Sequence, residues 1–140
     1  MSHKLMFVAR PSNWEFIKDK FDFWPLKLKD ARLIDRYANI DDEVLVYLSQ
    51  KSAITGLLKI REKPKRLDSP LSFTNNEYEY YLPITYSKIL TEDLSIPLRP
   101  LISELELTKM RQDNWGAVLQ KAVVKIKEKD FELLYSKIIS

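Results

Sequence analysis

The stretch Glu43-Val44-Leu45-Val46-Tyr47-Leu48 constrains the fold more than any other. A strand with one wet face alternates apolar and polar residues with a period of two, and this run is apolar at nearly every position. It predicts a strand buried on both faces, and therefore a sheet with material packed on each side. Ala53 to Ile60 is its expected partner, with Gly56 inside it where a bulge or a close backbone approach is expected.

The remaining elements are shorter. Leu5 to Ala9 has strand length and stops at Pro11. Ser12-Asn13-Trp14-Glu15 spells a capping box, Ser12 accepting from the Glu15 N–H, and predicts a helix with Trp14, Ile17 and Phe21 on one face. Leu28 to Tyr37 suits another helical turn or two, and Asp41-Asp42 marks the entry to the double-faced strand. The polar, proline-bearing 61-REKPKRLDSP-70 reads as an exposed loop. In Glu77 to Tyr86, residues Tyr78, Tyr80, Leu82, Ile84 and Tyr86 fall on one side, and Pro83 predicts an edge or a bulge. Pro100 opens a short helix through Leu105. A polar loop, 108-TKMRQDNWG-116, precedes a last strand over Ala122 to Ile126. Phe131, Leu134, Tyr135, Ile138 and Ile139 then repeat at helical spacing. Short strands mixed with small helices, without regular βαβ alternation, indicate one α+β domain over residues 1–140, around a small mixed sheet or barrel.

Composition closes several routes. There is no cysteine, so disulfides, thiol catalysis and thiolate metal sites are excluded. The single histidine, His3, stands in the N-terminal tail, which argues against a Ser-His-Asp triad or a multi-histidine metal site. Two glycines sixty residues apart make neither a P-loop nor a dinucleotide fingerprint. No metal, cofactor or catalytic residue is expected. Asp41-Asp42-Glu43 is the densest acidic group, but neighbouring strand residues point to opposite faces, so a polar turn is the better reading. No apolar run reaches the roughly 18 residues of a membrane span, and MSHKLMFVAR lacks a signal peptide's long apolar region; a soluble cytoplasmic protein is expected. Charged residues at 31% beside two glycines fit a thermophilic source.

The net charge of +3 is unevenly spread. Residues 1–66 hold 14 Lys/Arg against 9 Asp/Glu, and residues 67–140 hold 9 against 11. The basic half could attract phosphates, although solvated lysines give the same excess. Three tryptophans remain. Trp14 belongs on the apolar face of a helix; Trp115 fits core, rim or ligand wall alike. Trp24, in 21-FDFWPLKLKD-30, has its backbone held extended by Pro25 while lysines crowd in behind it. A packed structural indole and a ligand wall both stay open for it.

The order LMFVARPSNWEFIKD, FWP, NIDDEVLVY, ITGLLKI, YYLPITYSKI, a prolyl helix, NWG and VVKIKEKDFELL resembles the EVE domain of the PUA-like superfamily. It is most similar to the small archaeal stand-alone members, and more distantly to the YTH domain. The resemblance implies a curved sheet or small barrel of about five to six strands flanked by helices. It also implies a reader without catalysis that takes an unstacked, modified (methylated or hydroxymethylated) base of DNA or RNA into an aromatic pocket. Trp24 matches the pocket wall, Ser12 and Asn13 its hydrogen-bonding edge, Asp113 and Trp115 a loop at its mouth, and Phe73 a second wall. No tryptophan stands near Phe73, and Asp41-Asp42 replaces the usual Gly-Asp, a change the turn can survive because Asp tolerates the left-handed region. Arg10, Lys27, Lys29, Lys63, Lys65 and Arg66 are the expected phosphate contacts. A role as targeting module for a modification-dependent restriction system stays open, as does a carboxylate-dependent enzyme using Asp113. On the reader interpretation, alanine at Trp24 should weaken binding more than it lowers the melting temperature.

Overall fold

β3 (Glu43–Leu48) lies between β1 (Lys4–Ala9), which runs parallel to it, and β4 (Ala53–Ile60), which runs antiparallel. Along β3, Val44 and Val46 point into one apolar core and Leu45 and Tyr47 into another. The run is continuous in sequence because both faces are covered, as expected. These relations come from a computed structural model that describes residues 4–139; His3 lies outside the described residues.

Six strands follow one another in the order β2-β6-β4-β3-β1-β8, where β2 is Phe23–Leu26, β6 Asn76–Ile89 and β8 Val123–Ile126. β5 (Lys65–Phe73) pairs with β6, and the two-residue β7 (Ile96–Pro97) pairs with β4. The curved mixed α+β sheet is the PUA-like arrangement. α1 (Pro11–Lys20) and α2 (Leu28–Tyr37) cover the first core with Trp14, Ile17, Ala31 and Ile34. α3 (Glu128–Ile139) and the short turns between residues 98 and 119 cover the second, through Leu98, Leu101, Leu105, Phe131, Leu134 and Ile138. Each fully buried side chain of this size contributes about 1.5–3 kcal/mol. Buried Asp130 accepts from the backbone N–H groups of Glu106 (2.8 Å) and Leu107 (2.9 Å), fastening the irregular segment to the first turn of α3.

Gly56 meets both expectations placed on it. The β3–β4 register slips beside it, Val46 pairing with Gly56 and Tyr47 with Ile54. A Cβ at Gly56 would stand 3.3 Å from Cη2 of Trp14, so the missing side chain lets α1 pack directly on the sheet. Asp41 adopts φ 76°, the left-handed turn that its side chain was expected to tolerate.

Five expectations need correction. α1 starts at Pro11, in the first turn where its missing N–H costs nothing, with Arg10 as N-cap and no side-chain cap bond; Ser12 is inside the helix, so there is no capping box. Residues 65–70 are part of β5, not a loop. Its side chains there are largely exposed and its register breaks between Arg66 and Leu71, so backbone pairing with β6 makes it a strand and no buried face marks it. β6 is central rather than an edge: it pairs with β2, β4 and β5. Residues 76–81 pair β5 and residues 84–89 pair β4; Pro83 pairs Phe23 of β2, and on the other edge of β6, where its carbonyl accepts from the Arg61 N–H, it falls between the β5 and β4 ladders, so its missing N–H breaks no ladder bond. Finally, 109–119 is a run of 3₁₀ turns kinked at Arg111 and Asn114, and the prolyl helix is a single 3₁₀ turn, Arg99–Leu101. No helix among the described residues is long and apolar enough to cross a membrane.

Candidate nucleic-acid interface

The FDFWP stretch divides its aromatics between two environments. Phe21 stacks on Phe23 (centroids 4.5 Å apart) and meets Phe16 edge-on, while Phe16 and Phe73 stack at 4.6 Å with planes 9° apart. Trp24 faces the other way, 5.1 Å from Phe7 and 6.1 Å from Trp14. Pro25 sits in β2, which among the described residues pairs only with β6, so its lack of an N–H leaves no ladder bond unmade on the outer side. Tyr86 reaches across from β6 and its hydroxyl donates toward the carbonyls of Phe21 (2.8 Å) and Ile17 (3.2 Å), fixing the α1–β2 corner just before Trp24. Burial, reinforced by the charges of Asp22 and Asp19, pushes that phenol up to about 12.

A cleft of about 710 Å³ opens beside this corner. Trp24, Pro25 and Leu26 form one side, the ends of β1 and β3 supply Val8, Ala9 and Ser49, and Asn13 projects from α1. The β5–β6 turn, Thr74 to Asn76, Tyr78 and residues 119–122 line the rest of it. Only 5% of Trp24 is exposed, so its indole backs the cleft as part of the core. Tyr78, half-buried, is the ring nearer solvent, and Lys27 Nζ lies 5.9 Å over it.

The hairpin tip is tied in place. Phe73 pairs with Asn76 across Thr74 and Asn75, both at positive φ (48° and 65°), the two-residue turn whose twist suits a hairpin. A β-branched residue adopts that region at a cost, and the Thr74 hydroxyl donates to Oδ1 of Asn13. Lys27 Nζ donates to Oδ1 of Asn76 at 3.2 Å, linking β2 to the same turn. Around the rim stand Arg10, Lys27 and Lys121, opposed among the described residues by one lining carboxylate, Asp30. Burial raises the Asp30 pKa, although Lys29 and Lys27 pull it down. Burial also pushes the Tyr78 phenol up, with the Asp30 charge adding to it. The cleft thus offers flat apolar surface, amide and carboxyl edges and a cationic rim. Among the described residues there is no cluster of three or more acidic, His or Cys groups to hold a metal.

The structure brings Trp24, Asn13, Arg10 and Lys27 to this cleft. It does not bring the other expected residues there. Ser12 is exposed elsewhere on α1, because the helix begins two residues earlier than the capping box required. Phe73 is buried among Phe16, Phe21 and Tyr78. Trp115 packs against the second core with the Arg99 guanidinium 5.5 Å over its ring, and Asp113 is exposed nearby. Lys29 lines neighbouring depressions, Lys63 pairs with Asp35 (3.9 Å), Lys65 pairs with Glu62 (2.6 Å), and Arg66 is exposed on β5. Tyr78, Asp30, Asn76 and Lys121 were not anticipated. The one signal for Tyr78 was its place in the tyrosine alternation; the others lie at turns and ends that carry no periodicity.

This architecture is of the YTH- and EVE-like class within the PUA-like folds. The sequence matches no protein-family model and no curated protein. Among solved structures, the chain is similar to the YTH domain of Zygosaccharomyces rouxii MRB1 in complex with N6-methyladenosine RNA (TM-score 0.66, 14% identity, covering 96% of this chain and 86% of that one). It is similar as well to human THYN1 in complex with 5-methylcytosine-containing DNA (0.63, 16%, 97% and 98%). A third such structure is the YTH domain-containing protein mmi1 with RNA (0.65, 10%, 98% and 81%).

Proposed function

We propose that the chain is a non-catalytic nucleic-acid reader that accepts an unstacked, modified base in the cleft beside Trp24. The observation that carries this reading is the combination, in one recess, of an indole and a phenol ring, polar edges and a cationic rim, in a fold whose solved examples include complexes with methylated RNA and DNA. Stacking on aromatic faces returns about 1–3 kcal/mol per base, comparable to the few kcal/mol that unstacking costs. Tyr78 and the back wall at Trp24 would supply the apolar surface, and Asn13, Asp30 and Asn76 would meet the base edge. Arg10, Lys27 and Lys121 would hold the adjoining phosphates without reading sequence.

A methyl group buried between those walls contributes roughly 0.8 kcal/mol, or about fourfold in affinity. The test is fluorescence anisotropy with single-stranded RNA carrying one N6-methyladenosine, single-stranded DNA carrying one 5-methylcytosine, and their unmodified counterparts. At least one methylated strand should bind about fourfold tighter or better than its counterpart. Equal binding of every methylated and unmethylated pair refutes the reading.

A further inference from the structure

The base cleft continues into two more depressions along α2. The first, of about 670 Å³, shares Asp30, Gln120, Lys121 and Ala122 with the cleft; the second, of about 410 Å³, shares Lys29, Leu33 and Lys125 with the first. The result is one trough between α2 on one side and β8 with the turn before it on the other. Six cations line it: Lys29, Arg32, Arg36, Arg111, Lys121 and Lys125. Among the described residues Asp30, at the end nearest the cleft, is its only carboxylate, and none of the six cations is in an ion pair. Lys63 and Lys65, on the other side of the basic half, are instead held by Asp35 and Glu62. Lys29, Arg32 and Arg36 recur at i, i+3 and i+7, so they share one face of α2 over about 10 Å. At the far end Lys125 is held with its Nζ 4.2 Å over the ring of Tyr37.

We propose that this trough is a second binding site, a track for the sugar-phosphate chain on one side of the recognised base, so that the preferred ligand is a single strand extending several nucleotides beyond the cleft. The inference rests on the cleft being the base site. Cations in a row without an ion-pair partner among the described residues, two of which, Arg36 and Lys125, hydrogen-bond the Tyr37 side chain and keep their charge, favour a phosphodiester chain because each phosphate they neutralise releases counterions. A stacked strand rises about 3.4 Å per nucleotide, which places roughly three phosphates beside the α2 cations. Continuity with the cleft selects a nucleic-acid strand over an acidic polypeptide, which would have no use for the base-sized recess.

The experiment compares trimers and nine-mers of methylated and unmethylated single strands, bound to the native chain and to the double variant Arg32→Gln/Arg36→Gln. Both arginines are exposed, and glutamine has similar helix propensity, so the fold is kept. The native chain should bind the nine-mer at least about tenfold tighter than the trimer at low salt. The double variant should lose most of that gain, and its log Kd against log salt slope should flatten by about 1.4, two contacts at about 0.7 each. Trimer affinity and the preference for methylated strands should not change. Equal nine-mer and trimer binding, a length gain untouched by the double variant, or displacement of the nine-mer by a polyglutamate of similar length overturns the trough. A length gain that the double variant abolishes, without any methyl preference, overturns the reading of the cleft and leaves the trough standing.

Discussion

Replacing Trp24 with alanine separates a ligand wall that is dispensable to the fold from one that is also core. The indole is 95% buried, 5.1 Å from the Phe7 ring and 6.1 Å from the Trp14 ring. A buried aromatic covers about 150–250 Å², and at about 25 cal/mol per Å² the transfer term alone is about 4–6 kcal/mol, of which the remaining alanine keeps a part. Aromatic-to-alanine changes in cores cost about 3–5 kcal/mol. Because the site borders the cleft, water can occupy part of the vacated volume, which puts the expectation at the lower end, about 3 kcal/mol. For a chain of this size that lowers Tm by about 10 °C. The assay is urea unfolding followed by far-UV circular dichroism, which does not depend on the lost indole. A loss of less than about 1 kcal/mol would refute the assignment of Trp24 to the core. A loss of that size lowers the folded population as well as any binding, so Trp24→Phe, which keeps a ring against Phe7, is the variant suited to binding work.

Two further substitutions probe the surroundings of the cleft. Tyr86→Phe removes the hydroxyl donated to Phe21 and Ile17 and should cost about 1 kcal/mol near neutral pH. The native phenol stays protonated to about 12 against 10 in the unfolded chain, so its contribution is present below pH 10 and is lost as pH rises toward 12. The gap between native and Tyr86→Phe stability should shrink over that interval, and a constant gap would contradict the assignment. Asp30→Asn should raise Tm at pH 7. The Asp30 pKa is raised by burial, so its favourable contribution exists below the unfolded value of 3.8 and is lost as pH climbs through the folded value; the variant's advantage should close toward pH 3. A less stable variant at pH 7 would mean that Lys27 and Lys29 fully compensate the carboxylate.

Elements with a buried face were legible in the sequence. Both-sided burial wrote β3 as an unbroken apolar run, the bulge and the contact with Trp14 required Gly56, and the single buried face of α3 gave its helical repeat. β5 was missed because mainly its backbone is engaged over residues 65–70 and its side chains there carry no inside-outside pattern. Pro83 misled because the rule against proline in a central strand applies residue by residue, and this one falls between two ladders. The cleft was legible only in part. Trp24 and Asn13 were found, but their companions Tyr78, Asp30 and Lys121 come from β6, α2 and the turn before β8, and no spacing rule joins positions that only the tertiary fold assembles.

The central claim is that a modified base docks against the indole of Trp24, and the three tryptophans make it directly observable. Each gives one indole N–H signal in a ¹⁵N–¹H correlation spectrum, assignable by single Trp→Phe variants. Titration with the methylated strand should move the Trp24 signal most and leave that of Trp115, packed in the second core beneath Arg99, in place. A titration that saturates by anisotropy yet shifts Trp115 while Trp24 stays still would contradict the account.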